Sequence, residues 1–297
     1  MKQLYLDCQY GISGDMTLAA LLDLGADLSY VTEHLKQLPI DSFHMDTKKT
    51  DKRGIFASFL DLQFEENELV AAHVHEAGHS HTHDHSHSHD HHHEHGHSHD
   101  HHHDHSHSHA HDHSHDHSHD HEHDHHHDHV HRKASTILEM IETSALPDRV
   151  KERSRRVFEV IAEAEGKIHG MDPKEVHFHE VGAMDSIIDV IGVCLALEDL
   201  QIDRITASPV PTGYGKVKMA HGLYPIPAPA TAEILRGVPL EAFHVKGELT
   251  TPTGAGFLKA LANEYGYMPP LVIEKIGYGA GQKDFEHPNV LRAILFQ

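Results

Sequence analysis

The sequence predicts a mixed α/β fold: one ordered region formed by residues 1–72 and 132–297, interrupted at 73–131 by a disordered His/Asp-rich insert. Two observations carry this. Strand-like and helix-like patterns alternate through the ordered parts without a strict βαβ rhythm. The insert holds 32 of the 40 histidines and 12 carboxylates, has no Lys or Arg, and is almost devoid of apolar residues after Val74. Such a chain cannot bury enough apolar surface to offset the entropy of ordering its backbone.

Residues 2–7 alternate, with Leu4 and Leu6 on one face, and read as a strand. Gly11-Ile12-Ser13-Gly14 is a turn, and 15–24 reads as a helix stopped by Gly25. Ser29 is placed to cap a second helix reaching about Leu38. Residues 43–50 and 55–64 form a hairpin around Asp51-Lys52-Arg53-Gly54, and the insert follows. Beyond it, Thr136 with Glu139 makes a capping box for a short helix. Pro147 opens a longer helix to Ile168, with Gly170 past its end. Residues 176–179 read as a short strand. The helix expected over 186–200 has so little polar face that it belongs at the centre of the fold. Helices over 228–235 and 252–264 and a strand over 271–276 complete the reading.

The formal charge of −22, of which −12 falls in the insert, argues against nucleic acid or an anionic membrane as partner and suits holding divalent cations. The two cysteines, Cys8 and Cys194, have neither metal-site spacing nor a disulfide framework. No apolar run reaches the length of a membrane span and no signal pattern opens the chain, so a cytoplasmic protein is expected. Within the insert, His triplets beginning at His91, His101 and His125 stand among His-Asp-His-Ser repeats. Imidazole suits nickel, zinc and copper, so this array reads as a high-capacity, poorly selective metal reservoir that releases its load in mild acid. The blander alternative is a polar linker.

Four segments carry possible chemistry. In 176–189, His177 and His179 share one strand face, Glu180 follows, and Asp185 and Asp189 share a helix face. These residues are candidate ligands for a first-row metal, or for Mg or Mn; the alternative is a hydrogen-bonded turn and a capped helix. In 7–16, Asp7 ends a strand, Gly11 and Gly14 let backbone amides approach a ligand, and Asp15 starts a helix. That order suits phosphate or a metal–phosphate pair, or is only a tight turn. In 248–255, Thr251, Pro252, Thr253 and Gly254 place amides and hydroxyls at a helix N-terminus, an anion site or an ordinary cap. In 212–231, the prolines at 225, 227 and 229 make a stiff segment able to hold His221 near a ligand, or merely a structural loop.

Together and in this order these segments (DCQYGISGDM, HFHEVGAMDSIID, Thr212–Gly215 with HGLYPIPAPAT, and LTTPTGA) resemble the LarC family of nickel-insertion proteins, which make the nickel-pincer nucleotide cofactor. The resemblance covers essentially all of the ordered chain, and a His-rich loop between the first two segments is common in the family. It implies a lyase-type nickel cyclometallase. The implied substrate is pyridinium-3,5-bisthiocarboxylic acid mononucleotide, and Ni(II) enters between two thiocarboxylate sulfurs with loss of the ring proton. CTP with Mg or Mn is implied as cosubstrate, and lactate racemase-type enzymes as users of the product. Full-length family members continue into a CTP-binding second domain. This chain stops at Gln297, so it is expected to be the N-terminal half and to need that other half as a separate chain or missing segment.

The roles the resemblance implies begin with nickel buffering by the insert. His177, His179 and Glu180 pass or hold the metal for insertion. Asp7, Asp15, Asp185 and Asp189 hold a divalent ion or orient the His ligands. The helix start at Thr251, Thr253 and Gly254, with Gly11 and Gly14, binds the substrate phosphate, and His221 is a candidate base. A homo-oligomer is expected. A nickel storage protein or metallochaperone without catalysis, and a metal-dependent phosphohydrolase, are the competing classes.

Overall fold

The alternating N-terminal stretch forms β1 (Lys2–Asp7), followed by α1 (Gly14–Leu24) and α2 (Leu28–Leu35). The hairpin is β2 (Phe43–Lys52) with β3 (Ile55–Phe64). After the insert come α3 (Ala134–Thr143), α4 (Asp148–His169), a 3-10 turn at Pro173–Glu175, and α5 (Met184–Asp199). Next are β4 (Ile202–Ala207), β5 (Gly213–Tyr214), β6 (Lys216–Met219), β7 (Gly222–Pro225), α6 (Pro229–Ile234), β8 (Gly247–Glu248) and α7 (Pro252–Leu261). The chain closes with β9 (Glu264–Tyr265), β10 (Ile273–Ala280) and β11 (Val290–Phe296). The computed structural model describes residues 2–64, 132–178, 184–219 and 222–296. His91, His101, His125, His179, Glu180 and His221 lie outside the described residues.

One mixed seven-stranded sheet runs in the order β2-β3-β10-β11-β1-β4-β9. β1 sits inside it, antiparallel to β11 and parallel to β4, so Leu4, Tyr5 and Leu6 are buried on both faces. Helix α1 lies against β10 and β11, and α5 packs on α1, α2 and α4. The apolar surround of α5 explains this placement: Ile187, Ile188, Ile191, Leu195 and Leu197 are all buried. Each such side chain taken from water contributes about 1.5–3 kcal/mol, which only a central position collects on every side of a helix.

Several local expectations need correcting. α2 is capped by Asp27, whose carboxylate accepts from the Ser29 amide, rather than by Ser29. α3 begins at Ala134 after Lys133 with no side-chain cap, because Ala134 N–H is taken by Val176 O, so Thr136 and Glu139 form no capping box. The expected strand at 176–179 is, over its described part, an isolated bridge between His177 and Lys133. Val176 and Phe178 are buried and His177 is exposed, which keeps the alternation without a ladder. β4 and β11 were not legible as separate strands, although each borders β1.

Candidate functional site

Three of the motif segments are laced together by backbone hydrogen bonds. Ile12 N–H donates to Leu249 O at 3.0 Å, and Thr251 N–H donates to Ile12 O at 3.1 Å. β5 pairs with β8, and the buried Thr250 hydroxyl donates to Pro211 O at 2.7 Å. Gly11 makes the lacing possible. Its φ is +102°, and any side chain there would run into the Leu249 carbonyl. The fourth segment joins through Gly14, against which the Asp189 carboxylate packs directly.

The result is a cleft of about 670 Å³. The starts of α1 (Ser13, Gly14, Asp15), α5 (Asp185, Ser186) and α7 (Thr251, Pro252, Thr253) all line it. Unsatisfied amides and the positive pole at a helix N-terminus favour an anion, and here three such termini share one space. At α7 the Thr251 hydroxyl accepts from Gly254 N–H at 3.2 Å, so that amide is already occupied. The end of β3 borders the cleft with apolar side chains from both strand faces, Leu62 and Phe64 on one and Phe59 on the other, and Glu248, Lys283 and Asn289 also line it.

Carboxylates converge on the same space. Asp15 Oδ1 accepts from Met16 N–H at 2.8 Å and from the Ser13 hydroxyl. Burial pushes the Asp15 carboxyl upward against those hydrogen bonds, and the Asp185 charge adds to the push. Asp189 is raised well above the usual carboxylate range by burial, then by the charges of Asp15 and Asp185. Its Oδ1 is buried without a hydrogen-bond partner among the described residues. Asp185 is exposed and accepts from Ser186 N–H at 2.7 Å. Glu248 is likewise raised by burial, opposed by Lys283. Loading negative charge into a partly closed space is unfavourable until a cation enters it.

The structure therefore brings Gly14, Asp15, Asp185, Asp189, Thr251 and Thr253 to one cleft. Asp7 is elsewhere: it is buried beside β11, and its Oδ2 accepts from Arg292 Nε at 2.9 Å and from Nη2 of the same guanidinium. That ion pair satisfies Oδ2, while Oδ1 is buried without a hydrogen-bond partner among the described residues. Gly11 and Gly254 serve close packing behind the cleft rather than lining it, and the exposed His177 is not part of its wall. Sequence reasoning held Glu248 in the 248–255 segment without giving it a role, and missed Lys283, Asn289 and the end of β3. Lys283 follows the Gly279-Ala280-Gly281 run, the one available pointer to a special loop there. Among the described residues no group of three or more His, Cys, Asp or Glu is arranged to hold a metal ion.

A family model described as nickel insertion protein matches residues 4–297. The chain belongs to the nickel insertion protein family. A relative from Staphylococcus saprophyticus, named pyridinium-3,5-bisthiocarboxylic acid mononucleotide nickel insertion protein, is 50% identical over 293 residues, covering 99% of this chain and 59% of the relative. Proteins of the same name from Staphylococcus epidermidis and Geobacillus kaustophilus are 45% and 40% identical, each covering at least 99% of this chain and 60% of the relative. The chain thus spans about three fifths of the length of these family members. No solved structure matches. The glycines and carboxylates that build the cleft all fall inside the family match.

Proposed function

We propose that the cleft is where this family member takes part in inserting nickel into pyridinium-3,5-bisthiocarboxylic acid mononucleotide, the compound named for its relatives. The observation that carries this is the meeting of three helix N-termini with Asp15, Asp185 and Asp189 beside apolar side chains from the end of β3. The N-termini suit a phosphate, the apolar side chains suit a planar ring, and the carboxylates suit a cation. A mononucleotide of an aromatic ring, arriving with a metal, has all three features. Nickel is substrate here, replacing the ring proton and lying between the two thiocarboxylate sulfurs.

Mg or Mn fits the same oxygens. The buried, unpartnered Oδ1 of Asp189 and the neighbouring Asp15 carboxylate are hard donors. Such ions are commonly held by one or two carboxylates plus a substrate phosphate instead of an all-protein cage. That accounts for the lack of a preformed cluster among the described residues. Bound there, the ion would neutralise phosphate charge. Asp185, exposed at the mouth, and the His177-His179-Glu180 segment just before α5 are assigned to receiving nickel. The insert, with His91, His101 and His125, is assigned to buffering it. His221 remains a candidate for taking the ring proton.

CTP dependence, a C-terminal CTP-binding half, a homo-oligomer and a cytoplasmic location belong to the same proposal. Among the described residues no helix is long and apolar enough to cross a membrane. The test is incubation of the chain with nickel, CTP, Mg or Mn and the thiolated precursor, with and without the remaining two fifths of a relative supplied separately. Spectroscopic appearance of the nickel-pincer product in the complete mixture supports the reading. Its absence with every component present, while nickel still binds, favours storage instead.

A further inference from the structure

Lys283 is the only Lys, Arg or His among the described residues lining the cleft, which also presents Asp15, Asp61, Asp185, Asp189 and Glu248. Asp61 is paired with Lys48 at 3.0 Å, and Lys283 acts on Glu248 by its charge, yet Lys283 forms no ion pair among the described residues and its backbone is held by other means. Gly281 N–H donates to Asn289 O at 3.0 Å, and Asn289 Nδ2 returns a bond to Lys283 O at 2.8 Å. Lys52 Nζ reaches Gln282 O and Lys283 O, each at 3.5 Å, and Asp284 at 2.6 Å. The Lys52 side chain is only 9% exposed, so a charge is buried to tether this one loop. Burying an ammonium is costly unless its donors are used, and here they are spent on a segment whose own side chain, Lys283, stays exposed at the cleft. A fixed backbone carrying an available ammonium is the arrangement expected of a preorganised anion contact.

The loop's position indicates which anion. It follows β10, where Gly279 pairs with Ser58 of β3 and Ala280 packs with Ala57 and Phe59. Lys283 therefore leaves the sheet near the Phe59 side of β3, whereas the helix N-termini that suit a phosphate belong to α1, α5 and α7.

We propose that Lys283 is a specificity-determining residue that pairs with the acid substituent on the aromatic ring of the bound mononucleotide, and that Lys52 and Asn289 position it. This rests on reading the cleft as a pyridinium mononucleotide site. Two stable probes differ by that one charge: nicotinic acid mononucleotide carries a ring carboxylate, and nicotinamide mononucleotide a neutral amide. Calorimetric titration of the full chain in Mg is expected to show the acid bound about five- to tenfold more tightly. Lys283→Met should bring the two within about twofold by weakening the acid alone, and Lys283→Arg should keep the preference. Equal weakening of both probes would assign Lys283 to the phosphate and overturn the proposal, as would a preference that survives Lys283→Met or is missing from the unaltered chain. Lys283 is exposed, so the substitution spares the fold, and a Lys52→Met variant losing the same preference would add the positioning role. If the unaltered chain binds neither probe, the reading of the cleft itself falls, and this proposal with it.

Discussion

The Asp189 carboxylate occupies the space that a side chain at Gly14 would need, so the first turn of α1 and the buried face of α5 meet with nothing between them. Asp189 is raised by burial and then by the charges of Asp15 and Asp185, and Asp15 by burial and then by the charge of Asp185. Gly14→Ala should therefore destabilise the chain by about 1–3 kcal/mol through overpacking. It should also weaken Mg or Mn binding, because Asp189 must move. Denaturant unfolding and a metal titration on the same variant check both.

Asp189, raised by burial and by Asp15 and Asp185, binds its proton more tightly in the folded chain than in the unfolded one. A raised carboxyl contributes stability that is present below its unfolded value, about 4, and is lost as pH rises through the folded value. Metal-free protein should accordingly lose stability relative to Asp189→Asn as pH climbs above the ordinary carboxylate value of about 4, and Mg or Mn should restore part of the loss in the unaltered chain only. Melting curves along that rise in pH, with and without metal, give the answer; parallel pH profiles for the two proteins would show that Asp189 carries no buried charge.

Asp7 and Arg292 predict the opposite kind of effect. The Asp7 side chain is 5% exposed and that of Arg292 35%. Arg292→Met leaves a buried carboxylate unpaired and should cost about 3 kcal/mol. Asp7→Asn leaves a guanidinium that can reach water and should cost about 1 kcal/mol. Neither should change metal stoichiometry. A lost metal equivalent in Asp7→Asn would return Asp7 to the ligands.

These cases show what the sequence could convey. α5 was legible because an all-round apolar helix has one place to go, and the start of α7 because Thr251-Pro252 is a local capping signal. That Asp7 pairs with Arg292 and does not line the cleft was not legible, because that partner lies 285 residues away in a strand the sequence did not mark. Gly11 and Gly14 were recognised as special, but a glycine that admits a ligand and one that admits another segment's backbone or carboxylate look alike until packing is known. The setting of Lys283 was not legible for a related reason: the Lys52 contact to its carbonyl, and the cleft that distant segments build around it, exist only in the folded chain.

The two ends of the insert also carry a prediction. Phe64, the last described residue before it, pairs with Phe43, while Arg132, the first described residue after it, lies 3.9 Å from Asp41, so these two positions both lie beside the start of β2. A short loop can bridge that gap at little entropic cost. Deleting residues 79–129 should leave the melting temperature nearly unchanged and lower nickel stoichiometry several-fold. In the intact chain bulk nickel should leave as pH falls through about 6–7, where free imidazole protonates. Equilibrium dialysis checks both; flat stoichiometry across that range would move the bulk binding to carboxylates.

The roles proposed for this chain place insertion at the cleft and nickel buffering in the His-rich insert. The most direct measurement is the rate of nickel-pincer cofactor formation by Asp15→Asn/Asp189→Asn and by His177→Ala/His179→Ala in the complete reaction mixture, with bound nickel counted in the same samples. Both double variants should lose cofactor formation while retaining nearly all of the nickel bound by the unaltered chain. Cofactor formed at the normal rate by the Asp15/Asp189 variant would contradict the claim and place insertion outside the cleft.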